Sequence, residues 1–189
     1  LARDLCLGIV GIAVDLGERT GLGIPPADQV VAVFEGKFLA LAAAAAGHDL
    51  GNHTYGHRHL WSLSPAATAA EMDRGAAAIE ATTGVTPRYF RPPWGTFNWA
   101  AYVRAAQLGE VRVLWSVRPA GLIVAAPAPR MTALVVEKAH PGAIINLHDH
   151  GGHPSTPKET WPALPGMIAG LRARGFDIVP LRVLLGPRP

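Results

Sequence analysis

The sequence contains one cysteine, Cys6, among its 189 residues. A single cysteine excludes an internal disulfide, and it excludes a zinc site built from several thiolates. Charge is also sparse, since 16% of the residues are charged and the formal net charge is +3. The charged residues are scattered along the chain, with no block of about five like charges. Because clustered basic residues are the signature of nucleic-acid binding, we expect no nucleic-acid partner.

Long hydrophobic runs are absent as well. No apolar stretch approaches the roughly eighteen residues that a membrane-spanning helix needs. Leu5–Val14 lacks the positive lead and the small-residue cleavage pattern of a secretion signal, so we interpret it as a buried strand. Hydrophobic residues nevertheless make up 49% of the chain, which indicates a globular protein with a substantial core.

Predicted strands and helices alternate along the chain. Apolar runs rich in β-branched residues indicate buried strands, and alanine-rich or amphipathic stretches indicate helices. The predicted strands include Leu5–Val14, Val30–Phe34, Arg88–Phe90, Val111–Trp115, Ala143–Leu147 and Phe176–Val179. The predicted helices are Lys37–Ala46, Pro65–Thr83, Asn98–Gln107, Ala128–Ala139 and Trp161–Arg174. This alternation predicts an α/β fold of about seven strands with a mostly parallel sheet.

Two histidines, His53 and His57, stand four residues apart shortly after Leu50. Four residues make about one helical turn, so both imidazoles can face the same side. Two neutral imidazoles on one face can hold a divalent cation such as zinc, with a carboxylate and water completing the site. The alternative is a pair of loop histidines that meet only solvent.

Two further motifs follow, each near the end of a predicted strand. They are Arg91-Pro92-Pro93-Trp94-Gly95 and Asn146-Leu147-His148-Asp149. Together with His53-Thr54-Tyr55-Gly56-His57, they resemble three motifs of the polysaccharide deacetylases with the NodB-homology domain. The resemblance implies an irregular or incomplete (β/α) barrel of about seven strands. It also implies one domain over residues 1–189, with a divergent or truncated N-terminal part.

The resemblance implies a divalent metal, zinc first and cobalt or nickel as alternatives. In the family, the two motif histidines and the second of two adjacent aspartates hold the metal, and the first aspartate is the general base. Asp15 aligns with the base, whereas Leu16 stands at the ligand position and cannot bind a cation. Three arrangements remain open: Asp15 serves as the ligand with Glu18 or a water filling in, the protein is inactive, or another residue such as Asp49 or His150 completes the site.

The other motif residues receive roles by the same resemblance. His148 is the general acid, and Arg91 orients the base through its guanidinium. The backbone N–H of Trp94 stabilises the oxyanion and its ring forms a groove wall. Asn146 stands where the family has a leucine that receives the acetyl methyl group, and Leu147 follows it in the substrate pocket. Arg118 stands where the family has an aspartate. Trp61, Trp99 and Trp161 are either further groove walls or, taken singly, packing residues.

These residues predict a metal-dependent hydrolase that removes N-linked, or alternatively O-linked, acetyl groups from amino sugars. The expected substrate is a polysaccharide such as peptidoglycan or chitin. Two other functions stay open: an inactive glycan-binding homologue, and a deacylase of a small non-sugar amide. We expect a monomer, and the resemblance implies an extracellular or cell-envelope location.

Overall fold

The computed structural model describes the backbone of residues 11–15, 43–45, 47–119, 126–148 and 156–186. These residues form two compact units, one within 43–114 and one made of 11–15 and the described residues from 115 onward. The strands are β1 Gly11–Asp15, β2 Gly51–Asn52, β3 Tyr89–Phe90, β4 Val111–Arg112, β5 Ala143–Asn146 and β6 Asp177–Val179. The longer helices are α1 Pro65–Thr83, α2 Trp99–Gln107, α3 Ala128–Lys138, α4 Thr156–Ala173 and α5 Leu181–Leu184. None of these helices is both long and apolar enough to cross a membrane.

The first unit contains a parallel three-stranded sheet in the order β2-β3-β4. Helix α1 connects β2 to β3, and α2 connects β3 to β4, because parallel neighbours need a crossover between them. Its main core cluster is fully apolar and consists of Leu60, Met72, Phe90, Ala101 and Ala105. The predicted parallel arrangement is therefore confirmed for this sheet.

Capping residues set the helix ends of this unit close to their predicted positions. Ser64 caps α1 by accepting a hydrogen bond from the Ala67 N–H at 3.2 Å. Gly84 ends α1 with a φ of 72°, a left-handed conformation that glycine adopts without strain. Asn98 caps α2 through the Ala101 N–H at 2.8 Å, so the helix itself begins one residue later than predicted.

The second unit contains the sheet β5-β1-β6, and its strand directions differ from the mostly parallel arrangement that was predicted. Strand β1 pairs antiparallel with β5, where Ile12 faces Ile145, and antiparallel with β6, where Val14 faces Ile178. Two strands antiparallel to the same neighbour are parallel to each other. Strands β5 and β6 thus keep the direction that the connecting helix α4 requires, and β1 lies between them in the opposite direction.

Helices α3 and α4 pack together in the second unit. The Glu159 carboxylate accepts a hydrogen bond from the Ala128 N–H at 2.6 Å, which satisfies a donor at the N-terminus of α3. The Thr132 hydroxyl donates to the Ala163 carbonyl at 3.2 Å. Helix α4 begins at Thr156, five residues before its predicted start, and it contains two prolines, Pro162 and Pro165.

Several predicted elements lie outside the described residues. These are strand Val30–Phe34, the first part of strand Leu5–Val14 and most of helix Lys37–Ala46. The end of that helix is described, and Gly47 closes it with a φ of 78°. The Gly47 and His48 N–H groups donate back to the Ala44 and Ala43 carbonyls, both at 3.0 Å. Closure of a barrel, a seventh strand and a single domain over residues 1–189 stay predictions.

The segment that follows β2 packs unusually closely on α1 at Gly75. A Cβ atom at this position would lie 2.4 Å from the Asn52 Oδ1 atom and 2.9 Å from the Thr54 carbonyl carbon. Neither neighbour is the free end of a flexible side chain, since Asn52 is buried and the Thr54 atom belongs to the backbone. Glycine at position 75 therefore permits the contact between α1 and the His53 segment.

We predict that Gly75→Ala lowers the free energy of unfolding by at least about 2 kcal/mol. An uncrowded helical Gly→Ala change would instead stabilise the protein by roughly 0.5 to 1 kcal/mol. Urea unfolding followed by circular dichroism measures the difference. Gly166→Ala in α4 is the comparison and should cost less, because its Cβ would lie 3.1 Å from the Thr132 side chain, which is less crowded than 2.4 Å and involves no backbone atom. Equal stability of Gly75→Ala and wild type would contradict the close packing.

Candidate functional site

His53 and His57 lie together in the loop that follows β2. Their ring centroids are 4.9 Å apart, with the rings inclined by 69°. The loop is not helical, however, because Thr54 and His57 have φ values of 67° and 49°. The predicted proximity of the imidazoles is confirmed, but the helical turn that was expected to produce it is wrong. Positive φ at non-glycine residues is strained, and such residues concentrate at functional sites.

Helix α1 holds this loop through Glu71. The Tyr55 N–H donates to the Glu71 carbonyl at 3.0 Å, and the Gly56 N–H donates to the Glu71 carboxylate at 2.7 Å. Glu71 is buried, and its carboxylate accepts a short hydrogen bond away from bulk solvent. One acidic residue therefore fixes the two backbone amides that lie between His53 and His57.

Asn52 fixes the other end of the loop. Its amide group donates to the Met72 carbonyl at 2.9 Å and to the Glu110 carboxylate at 3.0 Å and 3.3 Å. Its Oδ1 atom accepts from the Thr54 N–H at 3.0 Å. The amide thus joins α1, the loop and the residue before β4 in one buried network, which also holds the residue next to His53 in place.

Glu110 is a buried acid in this network. Its pKa is raised to about 7 from an ordinary value of 4.5, mainly by burial and also by the negative charge of Asp73. The Asn52 hydrogen bond and the positive charge of Arg104 act in the opposite direction. Sequence reasoning missed Glu71 and Glu110, because a single acid in a helix or between a helix and a strand is normally exposed.

The backbone of Arg91 sets the tautomer of His53. The Nδ1–H of His53 donates to the Arg91 carbonyl, which can only accept. The lone pair of His53 therefore resides on Nε2, and a ring held in this way is typical of histidines that bind metals. The Arg91 N–H donates in turn to the Asn52 carbonyl at 3.0 Å. This backbone role was not predicted, and orientation of the base by the guanidinium stays a prediction.

His57 is held in its neutral form. Burial lowers its pKa below the ordinary value of 6.5, and the positive charge of Arg91 and the neighbouring His59 lower it further. A neutral imidazole keeps a lone pair for a cation, whereas a protonated one has none. His57 thus has the chemical state that a metal ligand requires.

The residues of this loop fit a divalent metal as two nitrogen donors. The Oγ1 atom of Thr54 is buried in the same loop without a hydrogen-bond partner among the described residues. Within the described part of the chain, no three histidine, cysteine, aspartate or glutamate side chains form a metal-binding group. Asp49 is among the described residues, and it forms no such group with His53 and His57.

The other predicted third ligands are not described. The backbone of Asp15 ends β1, where it faces Asp177 of β6, and its side chain is not described. The alternative ligand His150 lies outside the described residues, as do Leu16, which stands at the family's ligand position, and Asp149 of the third motif. Asp15 as base and metal ligand thus stays a prediction.

Trp94 lies beside the histidines. Its φ of 62° turns the backbone within the short helix Pro93–Gly95. Its indole lies 5.3 Å from the His57 ring and stacks on His59 at 4.4 Å, with an angle of 14° between the planes. Trp94 is 45% exposed. Its roles as a groove wall and, through its N–H, toward an oxyanion stay predictions.

Asn146, Leu147 and His148 lie at the end of β5 in the second unit. Asn146 and Leu147 are buried, and the Asn146 amide donates to His148 Nε2 at 3.4 Å. This contact agrees with the prediction that the two side chains share a face of the strand. Arg118 is exposed, and its guanidinium lies 5.9 Å from the centre of the Trp115 ring.

The chain is similar to known polysaccharide deacetylases. A family model described as polysaccharide deacetylase matches residues 33–113. The chain is 34% identical to a chitooligosaccharide deacetylase of Bradyrhizobium sp. (strain ANU 289) over 149 residues, which cover 72% of this chain and 66% of that protein. It is 30% identical to a chitooligosaccharide deacetylase of Azorhizobium caulinodans, covering 71% of this chain and 68% of that protein.

Solved structures give a similar result. BA3943 of Bacillus anthracis, described as a CE4 family pseudoenzyme, superposes with a TM-score of 0.70 and 26% identity. The match covers 79% of this chain and 50% of BA3943. A mutant of BA3943 with restored enzymatic activity gives a TM-score of 0.69 and 27% identity, over 79% of this chain and 52% of that one.

We predict that stability falls as the pH rises because of Glu110. Its folded pKa lies above its ordinary value, so the folded protein keeps a proton that the unfolded chain releases between pH 4.5 and about 7. The free energy of unfolding should drop by about 3 kcal/mol across this window, at about 1.4 kcal/mol per pKa unit. Glu110→Gln removes this loss and should gain stability relative to wild type toward pH 8.

Urea unfolding at pH 5 and pH 8 measures this effect, with circular dichroism as the signal. Glu137→Gln is the matched control, since Glu137 is an exposed glutamate of α3. Parallel pH profiles for Glu110→Gln and wild type would show that Glu110 does not hold the extra proton.

Proposed function

The chain belongs to the polysaccharide deacetylase family, and we propose that it is a metal-dependent hydrolase that removes acetyl groups from the amino sugars of a polysaccharide. The proposed bond is the N-acetyl amide, with O-acetyl esters as a second class. Peptidoglycan and chitin are the proposed substrates, because both consist of N-acetylated amino sugars. The proposed metal is zinc, and cobalt and nickel are the alternatives.

The state of the two imidazoles supports this proposal most directly. His53 has its Nδ1–H engaged by the Arg91 carbonyl, and the pKa of His57 is lowered by burial and positive charge. The two rings lie next to each other, with their centroids 4.9 Å apart. The strained φ values of Thr54, His57 and Trp94 occur in the same place, where a purely structural loop would have relaxed them.

His53 and His57 would hold the metal, which supplies a Lewis acid and lowers the pKa of a bound water when present. The proposed general acid is His148, which would protonate the departing nitrogen. In the described state the Asn146 amide donates to His148 Nε2, so that nitrogen carries no proton. A half-turn of the amide would present Oδ1, which is buried without a partner among the described residues, to a protonated Nε2.

The main alternative is an inactive homologue that binds glycan. It rests on Leu16, which stands where the family has a carboxylate ligand. A deacylase of a small non-sugar amide is the third possibility. Acetate release from N-acetylglucosamine oligomers, compared with release from small acetyl amides, distinguishes these activities. Near-stoichiometric zinc, cobalt or nickel in the purified protein favours an enzyme over the inactive homologue.

We predict that His53→Ala and His57→Ala each abolish metal retention and acetate release while the fold persists. Removal of one of two described nitrogen donors leaves too few ligands to hold a cation. Mass spectrometry measures the metal content of each variant, and circular dichroism shows separately whether the fold persists. His140→Ala, an exposed histidine of the second unit, is the matched control. Full metal content in either site variant would disprove the metal assignment.

We predict that Leu16→Asp tightens metal binding by at least about tenfold, which corresponds to about 1.4 kcal/mol, because it adds a third ligand. Acetate release should rise with it. Leu16→Asn separates the risk of unfolding from the effect on the metal, since it carries the same shape without the charge. A folded Leu16→Asp protein with unchanged metal affinity would mean that position 16 does not lie at the metal, and Asp15 would lose its assignment as the base.

A further inference from the structure

We propose that a groove in the first unit, lined by Trp61 and Trp99, binds sugar residues of the glycan that lie away from the reacting acetyl group. This inference rests on the proposed function, since it assigns further binding positions to the same substrate. The groove lies between the short helix Leu60–Ser62 and helix α2. Its volume is about 460 Å³, which is within the range of ligand-binding clefts.

The two tryptophans that line the groove are far more exposed than packing would require. Trp61 is 69% exposed and Trp99 is 77% exposed. Leu63, Pro65 and Ala69 provide an apolar floor between them. Two large indoles on one concave surface form an exposed apolar patch, and such patches mark binding sites more often than chance. The expectation that these tryptophans, taken singly, are packing residues is wrong.

Trp99 is held rigidly as a flat platform. Its indole stacks on Tyr102 at 5.7 Å with an angle of 10° between the planes. The Arg112 guanidinium lies 3.7 Å from the centre of the Tyr102 ring and supports it. Tyr102 covers only one face of the indole, so the opposite face stays open to a ligand. A preorganised ring loses little conformational entropy on binding.

A continuous series of aromatic rings links this groove to the histidine pair. Trp94, which lies beside His57, stacks on His59 at 4.4 Å. His59 contacts Trp61, with the ring centroids 5.6 Å apart, and its Nδ1 accepts a hydrogen bond from the Trp61 indole at 3.2 Å. A glycan chain that leaves the site along this surface would follow adjoining rings from the histidine pair to the groove.

The chemistry of the groove favours a sugar chain over an aliphatic or protein partner. A pyranose ring has an apolar C–H face that stacks on an indole and a rim of hydroxyl groups that need hydrogen bonds. Arg104 and Gln107 border the groove and provide those bonds. The Arg104 Nη1–H donates to Gln107 Oε1 at 3.0 Å, which orients the amide and leaves its N–H groups as donors. Asp73 fixes Arg104 at 2.6 Å.

The test is binding of N-acetylglucosamine oligomers to chelator-treated protein by isothermal titration calorimetry. We expect the wild-type affinity to rise from the dimer to the pentamer. In Trp61→Ala and Trp99→Ala, the affinity for the pentamer should fall by about tenfold, toward that for the dimer, because the distant sugar rings lose their stacking partners. Trp99→Phe keeps an aromatic face and should bind at an intermediate strength, provided circular dichroism shows the wild-type fold in all variants.

Leu185→Ala is the control, since it removes an apolar side chain of the second unit that is 44% exposed and lies outside the groove. Its affinity for the pentamer should equal that of wild type. Parallel titrations with glycan strands of peptidoglycan and with xylan oligomers show which sugar chain the groove prefers. A preference for either N-acetylated chain supports the proposal, whereas equal binding of xylan overturns the assignment to amino sugars.

Because binding is measured without metal, this test is independent of catalysis. Length-dependent binding that needs both tryptophans, in a protein that releases no acetate, supports the groove and overturns the proposed activity. Acetate release with unchanged pentamer binding in both tryptophan variants overturns the groove alone. Sedimentation provides a further outcome: if Trp99→Ala dissociates a dimer and leaves oligomer binding unchanged, the groove is a protein interface and the glycan proposal is wrong.

Discussion

The buried amide of Asn52 is the constraint on which the described site depends. It bonds to the Met72 carbonyl of α1, to the Glu110 carboxylate and to the Thr54 N–H. Each of these partners is buried or belongs to the backbone, so losing the amide would leave polar groups without water or a replacement partner. The positions of His53 and His57 thus depend on the hydrogen bonds that anchor the Asn52 side chain to α1, a helix that contains neither histidine.

The backbone around the histidines is strained at three non-glycine residues, Thr54, His57 and Trp94. Left-handed conformations of such residues cost of order 1 to 3 kcal/mol each and persist only when surrounding contacts hold them. Those contacts are visible here, since Glu71 holds Tyr55 and Gly56, and Gly75 allows the loop to approach α1. The stability of the first unit therefore supports a geometry that the loop would not adopt alone.

Local patterns in the sequence predicted much of this arrangement. The ends of helix Pro65–Thr83, capped by Ser64 and Gly84, were predictable because capping depends on residues within one turn of the helix end, whereas Asn98 was expected inside the helix that it caps. The antiparallel pairing of β1 could not be predicted, because its partners β5 and β6 lie far along the chain and its own residues do not indicate the strand direction. Glu110 was missed for the same reason, since its partner Asn52 is 58 residues away. Exposure of Trp61 and Trp99 was misjudged because one aromatic residue has no periodicity that assigns it to a face.

The distribution of tryptophan also decides how this protein can be observed in solution. All five tryptophans of the chain are at least partly exposed: Trp61, Trp94, Trp99, Trp115 and Trp161. Indole emission depends on the polarity around the ring, and these rings already meet water in the folded state. Unfolding should therefore shift the emission spectrum little, whereas a molecule that covers Trp61, Trp94 or Trp99 should shift it to shorter wavelengths. The fluorescence of this protein should report what lies on its surface better than whether its core is intact.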